Sequence, residues 1–144
     1  MMQELEFENS SGKLCLHRQS LKGAVQDYII SFNGKVSDIN MVVGKTFDLF
    51  QQLMNQFKDT HRVKARLVAQ VNYLRLDEDH ETVANDDYHF ASYGSEEVLD
   101  VDEFYQRHLS KVSSRMDSFH QNGSRLMINH IRHIHIQLAM IKRK

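Results

Sequence analysis

Apolar and polar residues alternate over a longer stretch between residues 63 and 76 than anywhere else in the chain. The apolar positions are Val63, Ala65, Leu67, Ala69, Val71 and Tyr73, and the polar positions between them are Lys64, Arg66, Gln70 and Asn72. A period of two is typical of a β-strand with one face in the core and one in water. Only Val68 and Leu74 interrupt it. The pattern predicts a long strand on whose apolar face the helices pack.

Two segments have the three-to-four-residue spacing of an amphipathic helix. The first follows the N-cap candidates Ser37 and Asp38, and is predicted to run for about five turns to near Asp59. Its apolar positions are Ile39, Val43, Phe47, Phe50, Met54 and Phe57. The second begins with Asp100 and Glu103 in the arrangement of a capping box and ends near Gly123, where a left-handed C-cap residue is expected. Its apolar stripe is Phe104, His108, Val112, Met116 and Phe119.

Five further strands are predicted. Leu5 and Phe7 alternate with glutamates, and Leu14 and Leu16 flank Cys15, so the N-terminus is predicted to form two short strands. Residues 24–32 alternate, and the aromatic stretch 88–93 reads as the return strand of a hairpin with residues 63–76. The last strand alternates over Ile134, Ile136, Leu138 and Met140. Ile131 is out of phase with that set, which predicts a bulge or a later strand start near Arg132.

From residue 24 onward the predicted order is βαββαβ, which is the ferredoxin-like order. We expect an α+β fold in which an antiparallel sheet carries both helices on one face, with an N-terminal strand or hairpin added. Hydrophobic residues make up 41% of the chain and charged residues 26%, as in ordinary globular domains. The 144 residues are expected to form a single domain, with residues 1–23 as an extension or hairpin and residues 24–141 as its core.

Charge and cysteine content limit the cellular locations and the classes of partner that the sequence supports. Eighteen basic and nineteen acidic residues give a formal charge of -1, so any binding to nucleic acid depends on a local patch. The single cysteine, Cys15, cannot form an internal disulfide, which favours an intracellular location, nuclear or cytoplasmic. The N-terminus lacks the basic-then-apolar order of a signal peptide, and no apolar run reaches the roughly 18 residues of a membrane span. No membrane partner is expected.

The second face of the sheet is predicted to be polar and locally basic. Alternation assigns to it Asp27, Ser31, Lys64, Arg66, Gln70, Asn72, His89, Tyr93, His133, His135 and Gln137. Such a face resembles the way an RNA-recognition motif holds single strands, although the aromatic signature of that motif is missing and Tyr28, Phe32 and Phe90 are equally consistent with a core. The candidate nucleic-acid-binding residues are Arg62, Lys64, Arg66, Arg132, His133, His135, Lys142, Arg143 and Lys144. An ordinary solvated face is the alternative.

Other chemistry finds little support in the sequence. His130, His133 and His135 have a spacing that brings two imidazoles together on a strand, but a zinc site needs further ligands, and His89 is the one histidine placed nearby. The acidic run from Asp77 to Asp87 lacks the order and the glycine of a calcium loop. No phosphate loop or nucleophile motif occurs, and Cys15 has no placed base. We expect no metal, no cofactor and no catalytic activity.

Residues 24–141 resemble a known region, in the order of the long strand, the acidic turn and the Y-x-F of Tyr88 and Phe90, and in the motif that begins at Phe119. The residues F-x3-G-S-x3-I-x2-I-x2-I-x-I, carried by Phe119, Gly123, Ser124, Ile128, Ile131, Ile134 and Ile136, resemble the N-terminal region associated with protein-primed family B DNA polymerases of Maverick/Polinton-type mobile elements and related viruses. The chain departs from that pattern at Arg125 and Leu126, and at its end. The resemblance implies a non-catalytic module of a virus-like or mobile-element protein, and it carries over no catalytic residue.

Two functions remain open from the sequence. The first is a nucleic-acid-associated accessory domain that contacts phosphates through the basic sheet face. The second is a protein-interaction or self-association module, in which residues 24–32 or the N-terminal segment pair through an exposed sheet edge with another chain. Val68 and Leu74, which are apolar and out of phase, favour the second.

Overall fold

The computed structural model describes residues 2–7, 11–19, 25–36, 38–76, 79, 81–92, 96–112, 114 and 127–143. The strands are β1 (Met2–Glu6), β2 (Lys13–Gln19), β3 (Val25–Gly34), β4 (His61–Leu76), β5 (Thr82–Ser92), β6 (Glu96–Glu97) and β7 (Met127–Lys142). The helices are α1 (Ile39–Phe57) and α2 (Val101–Phe104), and a π-helical turn, Tyr105–Leu109, continues α2. The predicted α+β class is confirmed.

All seven strands belong to one antiparallel sheet. Its order is β1-β2-β3-β7-β4-β5, and the short β6 pairs with β4 beside β5. The predicted N-terminal hairpin is therefore part of the same sheet, because β2 pairs with β3 along residues 14–19. The predicted hairpin of β4 and β5 is also present, although β5 begins at Thr82 and so includes acidic residues that were assigned to the connection.

The ferredoxin-like strand order is not the one observed. In a ferredoxin-like sheet the return strand of the hairpin lies between the two strands that flank the first helix. Here β7 lies between β3 and β4, and β5 lies outside β4. Burial explains the exchange, since the core-facing side chains of β7 are fully buried from Ile134 to Met140 and suit a central strand. In contrast, β5 includes Asn85, Asp86 and Asp87, which are typical of an edge.

Both helices pack on one face of the sheet. Asp38 caps α1 as predicted, since its Oδ1 accepts hydrogen bonds from the backbone N–H groups of Asn40 (3.0 Å) and Met41 (3.3 Å). Asp100 caps α2 in the same way. Phe50 of α1 stacks on Phe104 of α2 with ring centroids 5.0 Å apart, and this contact joins the two helices above the sheet.

The described part of the predicted second-helix stripe is buried, since Phe104, His108 and Val112 all face the core. The π-helical turn adds one residue to the repeat, and Leu109 is buried beside His108. His108 Nε2 lies 2.8 Å from Glu96 Oε1, which connects this turn to β6. The rest of the predicted stripe, Met116 and Phe119, and the predicted C-cap Gly123 lie outside the described residues.

The N-terminal hairpin crosses close to the end of β3. A methyl group added at Gly34 would lie 2.5 Å from the Cα of Gly12, and one added at Gly12 would lie 2.7 Å from the carbonyl oxygen of Asn33. The backbone N–H of Ser11 donates to the carbonyl of Lys35 at 3.0 Å. Two glycines are therefore needed at this crossing for the chain segments to come this close.

No helix in the part of the chain described here is both long and apolar enough to cross a bilayer.

Candidate nucleic-acid interface

One face of the sheet carries the helices, and we call the opposite face the open face. The core-facing residues of β4 and β7 are buried apolar side chains from Val63 to Val71 and from Ile134 to Met140, as the alternation predicted. The intervening residues of the four inner strands therefore point to the open face. They include Cys15, His17, Asp27, Ile29, Ser31, Arg62, Lys64, Arg66, Val68, Gln70, Asn72, Ile131, His133, His135, Gln137 and Ala139.

Two histidines of β7 form a ring pair on this face. The rings of His133 and His135 have centroids 6.0 Å apart and an interplanar angle of 21°. Burial lowers the pKa of each imidazole from its ordinary value. The pKa of His135 is lowered further by repulsion from His133, His17 and Arg66. Both imidazoles are therefore mostly neutral above about pH 6.5, and each ring offers a partly exposed surface.

Lys64 and Arg66 lie beside this pair on β4. In the sheet register Arg66 is opposite Gln137 and Lys64 is opposite Ala139. Neither cation has a carboxylate partner within 4.0 Å among the residues described above. Arg66 is exposed and Lys64 is half-buried. Arg66 is thus available to an anion in solvent, whereas Lys64 is opposite Glu97 in the register of β4 with β6 and helps to lower the pKa of that carboxyl.

A hollow of about 210 Å³ lies between these cations and β3. Its lining residues are Asp27, Lys64, Arg66, Gln137 and Ala139. Ala139 stands between Asp27 and Lys64 in the sheet register, and its small side chain leaves the space. Asp27 is only 7% exposed, and its Oδ2 accepts a hydrogen bond from Nε2 of Gln137 at 3.3 Å.

The other predicted cations are divided among different environments. Arg62 makes a two-point ion pair with Glu97, with both N–O distances at 3.1 Å, so its charge is already matched. This contact raises the pKa of Arg62 and lowers the pKa of Glu97. Lys142 and Arg143 are exposed at the end of β7, beyond the hollow, and Lys144 lies outside the described residues.

Arg132 does not belong to the open face. It is 2% exposed and has the same parity as Ile134, so it points to the side of the helices. Its guanidinium donates a hydrogen bond to the backbone carbonyl of Val36. The predicted bulge near Arg132 is also wrong, because the register of β7 with β3 and β4 is continuous there. Ile131 is instead on the open face, 39% exposed.

The histidines whose side chains the structure describes do not assemble a metal site. Among the residues with described side chains, no three His, Cys, Asp or Glu groups are close enough to hold an ion. The register places His89 opposite Gln70, which is itself opposite His133. The side chains of His89 and Phe90, and Tyr93 as a whole, lie outside what the structure describes. Cys15 is partly buried, and its Sγ lies 3.9 Å from the carbonyl oxygen of Lys13.

Two members of this face were not in the predicted site. Asp27 was placed on the open face by alternation, but only the fold shows that it is buried beside Lys64 and Arg66. His17 was missed entirely. It has the same parity as Lys13 and Cys15, so the alternation of the second strand could have placed it once β2 was known to join the sheet.

Comparison with protein family models, curated proteins and solved structures finds no match for this chain. The predicted resemblance to a polymerase-associated region therefore stays a prediction. Four of the residues that carry it, Phe119, Gly123, Ser124 and Ile128, have no described side chain.

Proposed function

We propose that the open face binds single-stranded nucleic acid, and that the chain is a non-catalytic accessory domain. One observation carries the proposal: Lys64 and Arg66 lie on β4 beside the His133 and His135 ring pair of β7, and all four residues belong to the open face. Arg66 is exposed and makes no ion pair within 4.0 Å in the described chain. A phosphate placed between these groups would be attracted by the two side-chain cations and would favour protonation of the imidazoles.

Single strands fit this surface better than a duplex. The described sheet exposes two imidazole rings and one guanidinium within a few residues of one another, namely His133, His135 and Arg66. Unpaired bases stack on imidazole rings and guanidinium planes, whereas a duplex presents its bases only at groove edges. A flat antiparallel sheet face with such groups suits splayed bases, as sheet-based RNA-binding modules illustrate.

The binding residues of the proposal are a subset of the predicted ones. Lys64, Arg66, His133 and His135 form its centre, and Arg143 is exposed beyond the end of β7. Lys142 has the same parity as Met140, so it points to the side of the helices. Arg62 contributes less because Glu97 neutralises it, and Arg132 contributes nothing because it is buried on the other face. The intracellular location and the link to a virus-like or mobile-element protein remain predictions from the sequence.

The test is a titration of the purified domain against labelled single-stranded and duplex DNA and RNA at several salt concentrations. We expect single strands to bind more tightly, with an affinity that falls linearly with salt on a log-log plot. Each phosphate contact in a single strand contributes about 0.7 to that slope, so the double variant Lys64→Glu/Arg66→Glu should reduce it by about 1.4. The single variant Arg66→Glu is compared with Lys45→Glu, on the solvent side of α1, which makes the same change in net charge.

Absence of binding to any of these nucleic acids at low salt would sink the proposal. Equal losses in the Lys45→Glu control would show that only net charge matters, and would remove the open face from the argument.

A protein-interaction function is the second candidate, and the position of β1 favours it. In the described sheet β1 pairs only with β2, so its outer edge is open, and Leu5 on it is 36% exposed. Residues 24–32, the other predicted edge, are wrong for this role because β3 lies between β2 and β7. Glu4 and Glu6 place charge at the β1 edge, which opposes pairing with a second acidic copy. A molar mass that rises with protein concentration and is unaffected by salt would favour this candidate over the first.

A further inference from the structure

The hollow on the open face has a chemical character of its own. Its lining combines one carboxylate, Asp27, with two cations, Lys64 and Arg66, and the amide of Gln137. Asp27 forms no ion pair with either cation within 4.0 Å, so the hollow separates the opposite charges. A buried carboxylate is costly unless its oxygens accept hydrogen bonds.

Asp27 retains the capacity to accept further hydrogen bonds. Gln137 donates to Oδ2, and no other hydrogen bond to Asp27 is made by the described part of the chain. An ionised carboxylate accepts at about four positions. A ligand in the hollow can therefore donate to Asp27, and the 7% exposure of this residue means that little water competes there.

The charges select the class of ligand. A cationic group is disfavoured because Lys64 and Arg66 line the same space, and the edge of a ligand that faces Asp27 must donate hydrogen bonds rather than carry negative charge. A neutral group with donors on one side and an acceptor on the other satisfies both walls. The volume of about 210 Å³ suits one planar ring, given that a cavity of about 150 Å³ holds benzene.

We propose that this hollow is a base-recognition pocket that prefers guanine. This inference rests on the proposed binding of single strands and deepens it. Guanine presents two neighbouring donors, N1–H and the exocyclic N2 amine, beside the acceptor O6. The donors meet Asp27, and O6 accepts from Lys64 or Arg66. Adenine places an unprotonated N1 where guanine has its N1–H, and hypoxanthine lacks the N2 amine.

A base of a strand bound elsewhere on the open face can also reach the pocket. It adjoins Arg66, which lies on the open face beside the His133 and His135 pair. A neighbouring base can stack on those rings while the pocket holds guanine by its edge. Sequence preference would then come from Asp27 and affinity from the cations, which is the usual division between base and phosphate contacts.

The test uses two sets of ligands with the whole chain. The first set is a short single-stranded thymidine oligonucleotide and versions of it with one central guanine, hypoxanthine or adenine. The second set is guanosine and inosine 5′-monophosphates, followed by the NMR shifts of the Gln137 side-chain amide and the Ala139 methyl group. We expect guanine to bind at least fivefold more tightly than hypoxanthine or adenine in the strand, and guanosine to bind more tightly than inosine as a mononucleotide.

Asp27→Asn should bring the guanine-to-hypoxanthine ratio close to one in both sets. The ratio is the readout because the lost negative charge affects both ligands equally. Asp48→Asn, on the solvent side of α1, makes the same charge change away from the pocket and should leave the ratio intact.

Failure of the plain thymidine strand to bind would count against the proposed function alone, since the mononucleotides still report on the pocket. Equal affinities for guanosine and inosine, or a ratio unchanged by Asp27→Asn, would overturn the inference whatever the strand does.

Discussion

The two faces of the sheet differ most clearly in how each treats a buried charged residue. On the helix-covered face, Arg132 is 2% exposed, and its guanidinium donates to the Val36 carbonyl, so it works as part of the core. On the open face, Asp27 is 7% exposed, accepts one hydrogen bond from Gln137 and lines a hollow shared with two cations. Burial alone therefore does not separate a structural charge from a binding one. The two residues differ in their surroundings. Arg132 is enclosed by protein, whereas Asp27 faces a hollow that a ligand can enter.

The largest expected difference between the faces is in stability. Leu67 and Val68 are neighbours on β4, but Leu67 is fully buried under the helices and Val68 is half-buried on the open face. Leu67→Ala should lower the free energy of unfolding by about 2–5 kcal/mol, because it leaves a cavity in a packed core. Val68→Ala should lower it by less than about 1 kcal/mol. Urea denaturation of both variants measures the difference.

Similar losses for the two variants would contradict the comparison, because they would show that the open face is packed as tightly as the covered one. The denaturant dependence of unfolding should be unchanged in both, so that the midpoints report stability alone.

Periodicity predicted most of what lies on the covered face. Asp38 and Asp100 were assigned as caps because a short polar side chain before an apolar helical repeat has one strong physical role. The core-facing side of β4 was predicted because alternation with a period of two determines which side chains point to the core. Strand order was not predictable in this way, since the placement of β7 between β3 and β4 depends on the burial of its whole inner face.

The candidate site was predicted less completely, for two physical reasons. Arg132 interrupts an otherwise apolar set, and the sequence offers no sign that a backbone carbonyl 96 residues away satisfies it. The pairing of Arg62 with Glu97 likewise depends on β6 meeting β4. The alternation of side chains placed Lys64, Arg66, His133 and His135 on the open face. The position of Asp27 beside them depends on β3, β7 and β4 meeting around Ala139.

The next effect in size separates the two arginines. Arg132→Ala should cost about 1–3 kcal/mol of stability, because the Val36 carbonyl loses its donor inside the protein. Arg66→Ala should change stability by no more than about 0.5 kcal/mol, since the side chain is exposed. Binding to single strands should show the reverse order, with a loss in Arg66→Ala and none in Arg132→Ala.

Thermal unfolding and strand titration on the same two variants provide both readouts, with the titration done well below the melting temperature of each. Weaker binding by folded Arg132→Ala would place that arginine back among the contacts, and would mean that strands reach the covered side.

The smallest expected effect is a pH dependence that acts on stability and binding in opposite directions. Burial lowers the pKa of His133 and His135 below the ordinary value of 6.5, so the unfolded chain takes up protons at a higher pH than the folded chain. Their contribution to stability is therefore complete above about pH 6.5 and is lost as the pH falls through the lowered pKa values.

Protonated imidazoles add positive charge to the open face, so strand affinity should rise over the same interval. His133→Gln and His135→Gln should flatten both curves. His61→Gln is the control, because His61 is half-buried against Phe57 on the opposite side of β4. If stability fell with acid but affinity did not rise, the histidines would be packed rings without contact to the strand, and the attraction of phosphates would come from Lys64 and Arg66 alone.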